Sequence, residues 1–146
     1  MIWKPNVTVA AVVEQDGRFL LIEEDTARGR LYNQPAGHLE PGESLVEAAV
    51  RETLEETAYS FSPTGLLGVY RYQSAAEEVT YLRFAFVGNI TGHAPERGLD
   101  KGIVRTLWMS PADIRREAGR HRSPLVMRCI DDYLAGKRYP LDMLYS

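Results

Sequence analysis

Three glutamates, Glu52, Glu55 and Glu56, stand at i, i+3 and i+4 in this 146-residue chain. On a helix of 3.6 residues per turn that spacing places all three carboxylates on one narrow face. Like charges so arranged destabilise a helix by roughly a few tenths of a kcal/mol per pair, a cost that disappears when a cation sits among them. Clustered hard oxygen donors suit Mg²⁺, or Mn²⁺, rather than zinc. Arg51 precedes the trio and lies four residues from both Glu47 and Glu55, so its guanidinium can orient a carboxylate and soften the repulsion. Glu43 is its other expected partner, tying the preceding loop to the helix. An E-x-x-E-E run by itself is most often a solvated acidic face; what surrounds this one decides its meaning.

The element that must position these groups is a helix predicted over about Leu45 to Thr57. Ser44 and Glu47 have the S-x-x-E spacing by which a serine oxygen and a glutamate carboxylate satisfy the free N–H groups of a starting helix. Val46, Val50 and Leu54 fall opposite the acids and are expected to form the core face. Gly37 to Glu43 precedes it as a loop, with Pro41-Gly42 supplying turn geometry.

The spacing across this region is Gly37, five residues, Glu43, seven residues, Arg51-Glu52, two residues, Glu55-Glu56. It resembles the signature box of the Nudix hydrolases, G-x5-E-x7-R-E-U-x-E-E-x-G-U, with U a bulky apolar residue. Three positions depart from that pattern: Thr53 and Tyr59 at the apolar positions and Ala58 at the closing glycine. Alanine at Ala58 costs roughly 1 kcal/mol if the helix exits through a left-handed residue. The resemblance implies an α/β fold, an α/β/α sandwich with a mixed β-sheet, and hydrolysis of a phosphoanhydride. It also implies Gly37, Glu52, Glu55 and Glu56 as metal-holding residues, the glycine through its carbonyl. Glu52, Arg51 and Glu55 are the expected catalytic residues, with Glu52 favoured as base. That chemistry requires a positioned water, a proton acceptor and positive charge on the phosphate oxygens.

Composition sets the outer limits. The chain is long enough for a single domain, 1–146, with a substantial core. Its lone Cys129 makes no internal disulfide, no cysteine–histidine spacing suggests zinc, and no apolar run approaches the ~18 residues of a membrane span. A cytoplasmic setting is expected, and either a monomer or a homodimer is compatible with the sequence. With a net charge of −3 and a pI of about 5.6, polymeric nucleic acid is not the expected partner. A phosphorylated small molecule is, because a divalent cation bridges an acidic helix to a diphosphate.

Elsewhere the pattern predicts a hairpin of Val7–Glu14 and Arg18–Glu24 around Asp16-Gly17, then a polar loop from Asp25 to Gln34. Strands are expected at Gly65–Gln73, Val79–Gly88 and Ile103–Met109, with a long loop at Thr91–Gly102. Ser110-Pro111 and Ser123-Pro124 each read as the start of a helix, the last with Leu125, Cys129, Ile130 and Leu134 on its inner face. Candidate substrate contacts are Arg28, Arg30 and Arg83 for phosphates and Tyr32 for an aromatic ring. Asp100, which stands where many Nudix enzymes carry an extra acidic residue, is a further candidate substrate contact. The segments Tyr32–Glu40, Arg122–Val126 and Arg138–Leu141 are similar to the NudJ-type phosphatase branch. That likeness implies release of phosphate from nucleoside tri- and diphosphates and from thiamine-pathway pyrophosphates. The alternatives are a pyrophosphatase for ADP-ribose or an oxidised dNTP, and a Nudix module that binds a nucleotide without turnover.

Overall fold

A computed structural model describes residues 1–146. Strand β1 (Asn6–Val12) is the hinge of the architecture, because both of its faces are buried. Val9 and Ala11 face one apolar cluster, and Ala10 and Val12 face another. It pairs parallel with β7 (Val79–His93) and antiparallel with β5 (Ala36–His38), while β7 pairs antiparallel with β6 (Tyr59–Ser74). The result is a mixed sheet of order β5-β1-β7-β6. A second sheet centres on β3 (Arg18–Thr26), flanked by β4 (Gly29–Asn33) and β8 (Ile103–Met109), with β2 (Glu14–Gln15) pairing at its start.

Helix α1 (Leu45–Thr57) lies on one side of the mixed sheet, with its alanines in the cluster of Val9, Ala11 and Phe86. Helices α2 (Pro111–Arg116) and α3 (Leu125–Leu134) lie on the other, through Ile114, Val126, Cys129 and Ile130. This is the expected α/β sandwich with a mixed sheet.

Several boundaries differ from expectation. The predicted hairpin reduces to Glu14–Gln15 against Arg18–Phe19. The long strands on either side of it enter different sheets, because β1 finds its partners in β5 and β7. The supposed loop at Asp25–Gln34 contains β4, whose exposed end, Gly29-Arg30, pairs with Asp25-Thr26 of β3, while Leu31 to Asn33 are buried. Strands β6 and β7 run well past their predicted ends, bending at irregularities near Ser60, Pro63 and Leu66. In α3, Leu134 is exposed, and the inner face is carried by Val126, Cys129 and Ile130.

Candidate active site

Helix α1 begins as its sequence dictates. Ser44 Oγ accepts from the Glu47 N–H at 3.0 Å, and a Glu47 carboxylate oxygen accepts from the Ser44 N–H at 2.8 Å. That reciprocal cap takes Glu47 away from Arg51, its other predicted partner. At the far end Ala58 has φ 63° and closes the helix in the left-handed region, its N–H donating to Leu54 O.

The buried arc of α1 is a correction to the sequence reading. It runs through Ala48, Ala49, Glu52, Thr53, Glu56 and Thr57, whereas Val46, Val50 and Leu54 are only half-buried. Alanines let the helix approach the sheet closely, and the two threonines bury their hydroxyls by donating back along the helix. Thr53 Oγ1 donates to Ala49 O at 2.7 Å and Thr57 Oγ1 to Thr53 O at 2.6 Å. Thr53 thus fills a core position without an unsatisfied polar atom.

Burial carries the acids inward with the helix. Oxygens of Glu52, Glu55 and Asp100 lie within 4.8 Å of one another. Asp100 reaches them because the loop before β8 is stitched to α1, its N–H donating to Glu55 O at 3.0 Å. Glu56, one turn beyond Glu52, instead accepts from the Ala36 N–H at 2.8 Å. Burial pushes the Glu56 carboxyl up to about 9, only partly opposed by that hydrogen bond. Burial likewise raises Glu52 against the pull of Arg51, and raises Asp100 with help from the charge of Glu55. A set of crowded, half-desolvated carboxylates offering only oxygen donors fits a hard divalent cation. Gly37, on β5, presses against Glu52 so closely that a Cβ there would overlap the carboxylate.

Arg51 is the internal counter-charge. Its Nε and Nη2 bind both oxygens of Glu43 at 2.9 and 2.7 Å, and Nη1 donates to Glu52 at 2.7 Å and to Glu55 at 3.3 Å. Nη2 also donates to the His38 carbonyl at 3.0 Å, anchoring β5 to the helix. Glu43 is held below the usual carboxylate range by its hydrogen bonds from Arg51.

Glu52 and Glu56 open into a cleft of about 390 Å³, whose lining also includes Gly37, Tyr81, Arg83 and Arg122. Of the predicted substrate contacts, only Arg83 lines it. Arg28 instead holds the Arg122 carbonyl at 2.9 Å, and Arg30 pairs on the surface with Asp25. Tyr32 is buried, its ring covered by the Arg120 guanidinium at 4.5 Å and its hydroxyl bonded to Arg120. Tyr32 is thus part of the framework, while Arg28 and Arg30 make their contacts outside the cleft lining. Arg122, Asn33 and Glu24 line the cleft without having been singled out for it. The signal for Arg122 was its place immediately before Ser123-Pro124, at a helix start; Ser123 Oγ accepts from the Leu125 N–H at 3.1 Å.

A model of the NUDIX domain matches residues 3–129. The chain belongs to the Nudix family. Phosphatase NudJ of Escherichia coli strain K12 is 42% identical over 142 residues, spanning 97% of this chain and 92% of that protein. A solved NUDIX hydrolase from Nitrosomonas europaea is 56% identical and covers 98% of this chain and 97% of its own, with a TM-score of 0.96. The NUDIX domain of Shewanella oneidensis NrtR, solved with ADP ribose, shares the fold at a TM-score of 0.75 and 16% identity, over 92% of this chain and 90% of its own. This chain is accordingly a Nudix hydrolase, an enzyme acting on phosphoanhydrides. None of its helices is long and apolar enough to cross a membrane.

Proposed function

We propose that this Nudix hydrolase uses Mg²⁺, or Mn²⁺, to release phosphate from nucleoside tri- and diphosphates and from thiamine-pathway pyrophosphates. The observation that carries the reading is the convergence of Glu52, Glu55 and Asp100 beside a cleft that also holds Glu56 and Gly37. Those four carboxylates and the Gly37 carbonyl would hold the cation. When bound, it supplies positive charge to the phosphate oxygens and acidifies a water. Glu52 is the proposed base: Arg51 holds its Oε1, leaving the second oxygen to accept the water proton. Arg51 sets the rotamers of Glu52 and Glu55 together, so neither must reorganise as the substrate arrives. Arg83 adds positive charge to the lining of the same cleft. The name of the E. coli relative, a phosphatase, favours orthophosphate as product.

The test is a panel of nucleoside di- and triphosphates and thiamine-pathway pyrophosphates, with and without Mg²⁺, both products identified for each. Orthophosphate that requires Mg²⁺ supports the reading. Pyrophosphate with a nucleoside monophosphate makes the chain a pyrophosphatase, and binding without turnover makes it a nucleotide-binding module.

A further inference from the structure

Two arginines line the cleft, and their circumstances differ. Arg83 is committed to the framework, donating to Asn33, Gln34 and Cys129. Arg122 has its main chain fixed and its side chain nearly free. Its N–H donates to Tyr32 O at 2.8 Å, and its carbonyl accepts from Arg28 Nη2 at 2.9 Å. The neighbouring turn is fastened to β4 and β3, for Arg120 lies over Tyr32 and pairs with Glu23. The Arg122 guanidinium makes one contact, Nη1 to Glu24 at 2.7 Å, and its other N–H donors have no protein partner. Its side chain is 35% exposed. Glu24 lines the same cleft, with Glu40, Glu52, Glu56 and Glu77.

We infer that Arg122 is the arm that grips a substrate phosphate, and that Glu24 holds this arm in reserve until a phosphate displaces it. The inference rests on the hydrolase reading above. A diphosphate entering a cleft so rich in carboxylates needs cationic donors beyond the metal-holding side. A planar fork on a fixed main chain is suited to phosphate oxygens. Moving from Glu24 to phosphate exchanges one charge-assisted pair for another, so Glu24 competes with the ligand for Nη1 and for the position of the guanidinium. Removing the competitor and removing the arm must therefore act in opposite directions, which a scaffold pair would not do.

The experiment compares Arg122→Gln, Arg122→Lys and Glu24→Gln with the parent chain. It measures KM and kcat for ADP hydrolysis with Mg²⁺, the Kd for ADP in EDTA, and thermal melting for folding. Arg122→Gln is expected to raise KM and Kd about tenfold, the loss of one charge-assisted hydrogen bond, with kcat little changed, and Arg122→Lys to recover part of it. Glu24→Gln keeps an acceptor oxygen without the charge and is expected to lower both constants. If Glu24→Gln raises KM as Arg122→Gln does, or abolishes kcat, the pair is scaffold or catalytic and the inference falls. It falls equally if Arg122→Gln leaves KM and Kd unchanged. Opposite shifts in the Kd for ADP from a chain that turns over none of the panel would keep the arm and reject the hydrolase reading. Normal turnover with unmoved constants would do the reverse.

Discussion

Arg51, bound to Glu52 and Glu55, and Arg83, in the cleft lining, sit in contrasting electrostatics. Arg51 is partly exposed and meets carboxylates in every direction: Glu43, Glu52 and Glu55, with Glu40 at 3.5 Å. Arg83 is 5% exposed and meets no carboxylate at all. Its partners are the amide oxygens of Asn33 and Gln34, at 2.9 and 3.0 Å, and the Cys129 sulfur at 3.8 Å. Burial pushes the Cys129 thiol up, so it stays neutral beside the guanidinium. One arginine is outnumbered by the acids it binds; the other keeps its charge uncancelled among neutral partners. The acid cluster around Arg51 is thus the place for a cation, while Arg83 and Arg122 are the positive charges in the cleft lining.

The contrast predicts different failures. Arg51→Gln releases Glu52 and Glu55 from their shared anchor, and phosphate release should fall on the order of 100-fold, as when the groups orienting metal-holding side chains are lost. Steady-state kinetics at saturating Mg²⁺ check this, and activity within a fewfold of the parent would show that the acids orient themselves. Arg83→Met should damage folding more than chemistry. It strands the Asn33 and Gln34 oxygens in a buried site, at a cost of about 2 kcal/mol, read as a lower urea midpoint. Gln34 is also fastened to α3 through Val126 O at 2.9 Å, so the loss should loosen that helix. An unchanged midpoint would mean that water replaces the guanidinium.

The two networks also differ in how readable they were. Every Arg51 partner lies within 13 residues of it, so helix periodicity and the box spacing point to Glu43 and Glu55, though not to Glu52, Glu40 or the His38 carbonyl. The capping box and the conditional cost at Ala58 were legible for the same local reason. Arg83 finds its partners 46 to 50 residues away, and Arg122 reaches Glu24 across 98. Those contacts follow from which sheet each strand enters, and the parallel pairing of β1 with β7 carries no local signature. The buried face of α1 was misread because apolar residues were taken to mark the inside. Small residues and self-satisfied threonines mark it here, and two glutamates go in with them.

A pH series sharpens the acidic side of the comparison. Glu56 has its folded carboxyl raised to about 9 from an unfolded value near 4.5, so folding favours the protonated form. Its contribution is complete below about pH 4.5 and lost as pH rises through about 9. Metal-free protein should therefore melt at lower temperature as pH climbs across that window, and Glu56→Gln should flatten the slope. A parent slope of the opposite sign, or one that Glu56→Gln leaves unchanged, would contradict the burial account. The smallest effect belongs to the helix exit. Ala58→Gly relieves a left-handed alanine and should stabilise the fold by about 1 kcal/mol without altering turnover.

Mn²⁺ binding, followed by electron paramagnetic resonance in the parent and in Glu55→Gln, tests the central claim most directly. The parent should bind Mn²⁺, and Glu55→Gln, which removes one charge from the converging oxygens of Glu52, Glu55 and Asp100, should bind at least about tenfold more weakly. Equal affinity in the two proteins would mean that the cation sits elsewhere and that the acids of α1 do not hold it.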